Sequence, residues 1–145
     1  MNARDVLEVA DGLSMGTKEA EWRAAVSRAY FAAFHAARQL MEDLGFQVPR
    51  GEQAHAYLWK RLSNSGHVDV QNSGRDLSDL RSLRNWADYD LLRSLDQTMA
   101  IGQVLRADKI LGLLETVATS AAANLITETM RAYQRDVLRE ITWHS

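Results

Sequence analysis

Arg84, Asn85, Asp88 and Tyr89 lie close together in a stretch rich in leucine, alanine and arginine, a composition that predicts a helix. At about 100° per residue, Arg84 falls inside the apolar sector of that helix. Five residues define this sector: Leu77, Leu80, Leu83, Ala87 and Leu91. A charge on such a face is costly unless it is paired or lines a cavity, and Asp88, one turn further on, is its natural partner. Two interpretations stay open: a buried Arg–Asp clamp packed by Tyr89, or a polar cleft that receives an anion.

The elements that must position these residues are predicted to be helices throughout. The chain contains one proline in 145 residues and no run in which β-branched residues alternate with polar ones. Helices are predicted over residues of about 3–13, 17–44, 52–62 and 70–89. Thr17 is the predicted N-cap of the second helix. Gly45 is its predicted C′ residue, with Phe46 folding back onto the last turn.

The C-terminal third, residues of about 96–143, is predicted to be one very long helix or two abutting helices, bent near Ala123-Asn124. Ser94 and Gln97 are predicted to form the capping box at its start. Its apolar residues recur at heptad spacing: Val104, Ala107, Leu111, Leu114, Ala118, Ala121 and Leu125. Such a seam indicates a self-association surface, or alternatively a helix pair folded back on itself.

Composition predicts a single domain over residues 1–145, with the C-terminal helix as an extension. The chain has no cysteine, which excludes disulfides and thiolate metal sites and suits the cytoplasm. No signal peptide, membrane-spanning run, histidine pair of metal-ligand spacing or glycine-rich phosphate loop is visible, so no metal or cofactor is expected.

Net charge is −2, so any contact with nucleic acid requires a local basic patch. Four arginines could form it: Arg75, Arg81, Arg84 and Arg93. They could equally form salt bridges with neighbouring aspartates on a solvated helix face: Asp76, Asp79, Asp88 and Asp90.

Two motifs resemble the HEPN family of small prokaryotic helical proteins. Ser27–Arg38 reads SRAYFAAFHAAR, and Arg84–Asp90 reads RNWADYD, in the order and spacing of that family. The resemblance covers roughly residues 1–95. It implies an up-and-down bundle of four to five helices that pairs into a homodimer. It also implies RNA or a nucleotide as ligand, and a nucleotidyltransferase or another antitoxin as partner protein.

Many members of this family resemble metal-independent RNases whose site combines two copies of an Arg-polar…His motif across the dimer. Arg84 and Asn85 match the first two motif positions, while Asp88 and Tyr89 stand where the motif has histidine. These four are therefore the predicted catalytic residues. Five further residues are predicted to contact the substrate: Arg28, Tyr30, His35, Arg81 and Asp90.

Several roles stay open at the level of sequence. His35 could be a core histidine or could face the cleft. Trp86 points away from the apolar sector, which suits a contact surface or the stacking of a base. Tyrosine is a poor general base at neutral pH, because its pKa is ordinarily near ~10. Besides an RNase, the chain could thus be a non-catalytic HEPN-like binding module, or an assembly module built around its C-terminal helix.

Overall fold

The computed structural model describes residues 1–140, and these are helical almost throughout. They form six α-helices and one π-helical turn: α1 Ala3–Ser14, α2 Glu19–Asp43, α3 Gln53–Ser63, α4 Val68–Tyr89, α5 Gln97–Val117, α6 Ala123–Tyr133 and the turn Gln134–Leu138. The prediction of an all-α chain is confirmed. Within residues 1–140, no helix combines the length and apolarity needed to cross a membrane.

The first four helices lie within two residues of their predicted bounds. Gly45 has a left-handed φ of 97°, and the N–H of Phe46 donates to the carbonyl of Met41 at 2.9 Å, which confirms the predicted helix stop. The predicted N-cap is wrong, because α2 begins at Glu19, two positions after Thr17. The Glu21 carboxylate instead accepts the backbone N–H of Thr17 at 3.2 Å.

The C-terminal stretch forms two helices rather than one continuous helix, and the break between them, residues 118–122, directly precedes the bend expected at Ala123-Asn124. Hydroxyl side chains explain the break, because Ser120 Oγ donates to the Val117 carbonyl at 2.8 Å and accepts the Ala122 N–H at 3.3 Å. Such bonds compete with the helical pattern. The heptad seam is accordingly buried only along α5, and Leu125 is exposed.

The start of α5 also differs from the prediction. Asp96, rather than Ser94, caps this helix, since its Oδ1 accepts the N–H of Met99 at 2.8 Å. The predicted helical stretch up to Trp143, and His144 after it, end outside the described residues.

The chain divides into two compact units. Unit 1 comprises Met1–His35 and Asp76–Leu111. It contains a cluster of five buried residues, Ala25, Val26, Ala87, Leu95 and Ala100. Partly buried side chains pack against this cluster: Leu13, Trp22, Leu83, Trp86 and Met99. Burial of these apolar groups fixes the end of α4, where the predicted site lies.

Unit 2 comprises the described residues of Ala36–Arg75 and Gly112–Ser145. Its largest fully buried side chains include Leu40, Met41, Leu58, Leu62, Ile126 and Met130. Helices α3 and α6 contact each other in this unit. The most buried charge of the unit is Arg61, with 1% of its surface exposed.

Candidate functional site

The predicted site lies in unit 1, at the C-terminal end of α4. Arg84 and Asp88 are both half-buried, with side chains 21% and 27% exposed. Nε of Arg84 lies 2.8 Å from Oδ2 of Asp88, so the ion pair expected from the i, i+4 spacing is confirmed. The helix supplies both partners, and the pair therefore needs no other element to bring it together.

The guanidinium of Arg84 is only partly satisfied by protein groups. Its Nη1 donates to Oδ1 of Asn85 at 3.2 Å. Its Nε is buried and, although close to Asp88, does not direct its N–H for a hydrogen bond. Among residues 1–140, no acceptor engages Nη2. Because arginine presents five donors in a planar fork, this leaves donors to bind an incoming oxyanion.

Three aromatic rings surround the same guanidinium. Its Cζ atom lies 5.1 Å from the ring centroid of Phe31, 5.8 Å from that of Tyr89 and 6.0 Å from that of Tyr30. These distances are within the range of cation–π attraction. The rings hold the arginine in place without consuming its hydrogen-bond donors, which is a favourable arrangement for an anion site.

Tyr30 is the buried member of this aromatic wall, only 4% exposed. Burial raises the pKa of its phenol above the ordinary value, and the positive charges of Arg81 and Arg84 partly offset that rise. The Tyr30 hydroxyl therefore stays protonated near neutral pH. It acts on the site as a neutral group rather than as an anion.

Asp88 has a second partner in addition to Arg84. Oγ of Ser27, on α2, donates to Oδ2 of Asp88 at 3.3 Å. The first motif of the sequence therefore meets the second at this carboxylate. In chemical terms, the cluster offers a cation, a carboxylate and the phenol of Tyr89, which is 77% exposed.

The remaining predicted site residues lie on the surface or at the margin of this cluster. Arg81 is half-buried and acts on Tyr30 through its charge. Arg28 and Asp90 are exposed, and among the described residues neither side chain forms a hydrogen bond or an ion pair with Arg84 or Asp88. His35 is exposed as well, and its ring meets that of Phe34 edge-on at 5.4 Å.

Two residues near the motif depart from the wheel-based prediction. Leu91, placed in the apolar sector, is 75% exposed because α4 ends at Tyr89 and the helical periodicity stops there. Trp86, predicted to face outward, instead packs on the buried cluster of unit 1. The guanidinium of Arg93 covers its ring at 4.3 Å, so Trp86 is a packing residue of this unit.

Arg23, which the sequence did not single out, holds the end of α4 in place. It is 8% exposed, and its Nη1 donates to the carbonyls of Ala87 at 2.8 Å and Asp90 at 3.1 Å, while Nη2 donates to that of Arg93. The Ala87 carbonyl lies in the last turn of α4, where carbonyls have no donor from the helix itself, and the guanidinium of Arg23 supplies one. The only signal of Arg23 in the sequence was its position four residues after Glu19, which favours an ion pair on one helix.

Glu19 completes this clamp. Its Oε1 accepts the N–H of Leu95 at 2.8 Å and a hydrogen bond from Nη2 of Arg23 at 3.0 Å. The backbone N–H of Leu95, and then the guanidinium of Arg23, lower the pKa of Glu19 below its ordinary value. The clamp thus fixes the connection from α4 to α5, directly after the candidate site.

Within residues 1–140, no group of three or more histidine, aspartate and glutamate side chains is arranged to hold a metal ion. Comparison with family models, with curated proteins and with solved structures gives no match to this chain.

Proposed function

We propose that this protein is a HEPN-like, metal-independent RNA endonuclease that acts in the cytoplasm as a homodimer. One observation carries the proposal: Arg84 is held by Asp88 and three aromatic rings, yet among residues 1–140 no acceptor engages its Nη2. A half-buried cation of this kind suits a phosphodiester, whose charge increases in the transition state of cleavage.

The proposed reaction is attack of an RNA 2′-hydroxyl on the adjacent phosphorus. The 2′-oxygen forms a bond to phosphorus, the bond from phosphorus to the 5′-oxygen breaks, and a 2′,3′-cyclic phosphate and a 5′-hydroxyl result. Arg84 binds the equatorial phosphate oxygens, which gain negative charge, and Asn85 orients the Arg84 fork. The reaction needs one group that accepts a proton and one that donates a proton.

Asp88 and Tyr89 lie next to the Arg84 guanidinium and are the proposed proton-transfer groups. Asp88 is assigned the acceptance of the 2′-hydroxyl proton because it is a carboxylate beside Arg84. Tyr89 is assigned the protonation of the leaving 5′-oxygen because its phenol is exposed and beside the same guanidinium. Two copies of the site, one from each protomer, would enclose the RNA strand.

The test is cleavage of single-stranded and structured RNA by the purified protein in EDTA. The expected products carry 2′,3′-cyclic phosphate ends, and Arg84→Ala is expected to lower the rate by more than about 100-fold. Arg106→Ala is the matched control, because Arg106 lies in the same unit and pairs at 4.0 Å with exposed Asp79. Equal cleavage by the Arg84→Ala protein would refute the proposal.

A second function has its own supporting observation. Asp88 already accepts from Ser27 and pairs with Arg84, and no histidine stands in the motif to act as base. We therefore also consider a non-catalytic HEPN-like module that binds RNA, a nucleotide or a nucleotidyltransferase-type partner through the same arginine. Binding of RNA that is lost in Arg84→Ala, without cleavage by the unsubstituted protein, would select this function over the first.

A further inference from the structure

Unit 2 contains a cavity that the Arg84 site does not involve. Its volume is about 730 Å³, within the ~300–1,000 Å³ typical of small-molecule sites. Three cationic side chains line it, Arg50, Lys60 and Arg61, against one acidic side chain, Glu140. Tyr57 and Leu138 belong to its apolar part. The lining therefore combines an excess of positive charge with an apolar wall.

Arg61 is one of the residues that line this cavity and is 1% exposed. Its Cζ lies 3.5 Å above the ring centroid of Tyr57, and its Nη1 donates to the Tyr57 carbonyl at 3.3 Å. Its Nε donates to Oε1 of Gln134 at 3.1 Å, and its Nη2 donates to Glu140. Three of these contacts orient the guanidinium, and the fourth is made by a carboxylate that enters the cavity.

The backbone that presents Glu140 has an unusual conformation. A π-helical turn, Gln134–Leu138, ends at Arg139, whose φ of 60° makes it the one non-glycine residue among the described residues with a left-handed backbone. The N–H of Glu140 then donates to the Gln134 carbonyl at 2.9 Å. Left-handed backbone at a non-glycine residue is unfavourable, and π-helical turns are frequent at functional sites.

Glu140 differs from the other contacts of Arg61 in its accessibility. Its side chain is 50% exposed, whereas the guanidinium that it meets is almost fully buried. A carboxylate in this position can leave toward solvent, but the buried cation cannot follow it. A buried guanidinium without a partner is strongly unfavourable, so another anion would be favoured in the vacated place.

We propose that this cavity is a binding site for a small organic anion, and that Glu140 is the intramolecular occupant that the ligand displaces. The ligand is a carboxylate or a phosphate monoester with an apolar body. Its charged group binds Arg61 with support from Lys60, and its apolar body lies against Leu138 and the adjoining wall. The alternative is that the salt bridge between Arg61 and Glu140 only stabilises the fold, and the experiment must distinguish this from a ligand site.

The experiment measures binding of benzoate and phenyl phosphate to the full chain by isothermal titration calorimetry at constant ionic strength. Benzamide is the uncharged probe of the same shape. We expect roughly millimolar affinity in the unsubstituted protein and about tenfold tighter binding in Glu140→Gln, because the competing carboxylate is removed. Glu128→Gln is the matched control, since Glu128 lies in unit 2, is 70% exposed and pairs with Arg131.

Lys60→Gln provides a second test that leaves the Arg61–Glu140 contact intact. We expect it to weaken anion binding severalfold while benzamide binding stays undetectable. The relative affinities of benzoate and phenyl phosphate decide between the two ligand classes. Absence of anion binding in both the unsubstituted protein and Glu140→Gln would overturn the proposal. So would equal affinities of the unsubstituted protein and Lys60→Gln, which decides the matter if Glu140→Gln does not fold.

Discussion

Arg84 in unit 1 and Arg61 in unit 2 make similar contacts in very different surroundings. Each guanidinium meets a carboxylate and at least one aromatic ring, but the side chain of Arg84 is 21% exposed and that of Arg61 is 1% exposed. The partner of Arg84 is four residues away on the same helix, whereas Gln134 and Glu140 lie 73 and 79 residues from Arg61.

This difference separates two uses of a buried arginine. An ion pair within one helix contributes little to the stability of the fold, so its arginine can bind a ligand with little loss of stability. A fully buried arginine with distant partners joins separate parts of the chain, and its loss removes several hydrogen bonds from the interior at once. We therefore expect substitutions at Arg61 to act first on stability and substitutions at Arg84 to act first on activity.

The strongest test of this contrast is Arg61→Ala, which we expect to lower the free energy of unfolding by about 3 kcal/mol. The substitution removes the hydrogen bond from Arg61 to Gln134 and leaves a void beside Tyr57. Urea denaturation, monitored by circular dichroism, measures the change in the free energy of unfolding. Arg50→Ala, at an exposed position on the same cavity, should stay within about 0.5 kcal/mol of the unsubstituted protein. Similar losses of unfolding free energy in Arg61→Ala and Arg50→Ala would contradict the structural role given to Arg61.

A second test concerns the packing of α3, the helix that carries Arg61. A Cβ atom at Gly74 would lie 2.6 Å from Oγ and 2.8 Å from the backbone N of Ser63, so Gly74→Ala forces α3 and α4 apart within unit 2. We expect a loss of about 2 kcal/mol in urea denaturation.

Gly102→Ala is the matched control for that substitution. Gly102 also lies within a helix, α5, but a Cβ atom there meets no neighbour within 4 Å among the described residues. Alanine should therefore stabilise the protein by about 0.5–1 kcal/mol through its higher helix propensity. A destabilised Gly102→Ala protein would show that the loss at Gly74 does not report close packing.

The third test applies the comparison to Arg84. Arg84→Ala should change the free energy of unfolding by less than about 1 kcal/mol, because its ion pair with Asp88 is partly solvated. The same protein should lose the RNA cleavage or binding described above. A loss of stability as large as that of Arg61→Ala would instead make Arg84 a structural clamp, the other interpretation of its position in the apolar sector.

The smallest expected effect concerns Glu19, which supports the helix end next to Arg84. Because folding lowers its pKa below 4.5, its contribution to stability is full above that pH and is lost as the pH falls through the lowered value. Glu19→Gln removes this contribution, so its stability should change less than that of the unsubstituted protein between about pH 5 and pH 3. Parallel stability curves of the two proteins over this interval would contradict the assignment.

Much of the fold could be predicted because it depends on neighbours along the chain. The bounds of α1–α4, the stop at Gly45 and the pair Arg84–Asp88 all follow from periodicity, glycine and i, i+4 spacing. The prediction failed where a local signal was misjudged. Ser120 competes for backbone hydrogen bonds inside a run that otherwise reads as a continuous helix, and Asp96 rather than Ser94 is the nearer cap of α5.

The features that could not be predicted depend on contacts between segments far apart in the sequence. Arg23 donates to carbonyls at the end of α4, more than sixty residues away. Ser27, on α2, donates to Asp88, on α4. Trp86 is packed because its surroundings include residues from other helices, which a wheel of one helix does not contain. The cavity at Arg61 had no signal in the sequence, since its lining comes from segments far apart.

The sequence by itself determined that this protein is helical, where its first four helices lie, and that Arg84 and Asp88 pair on one of them. These properties depend on bonds and side chains within a few residues, which spacing records directly. Only the tertiary structure decided that three aromatic rings surround Arg84, that Arg23 holds its helix end, and that Arg61 is buried at a cavity with Glu140. Burial and long-range pairing depend on which segments pack together, and the spacing of residues along the chain does not specify this packing.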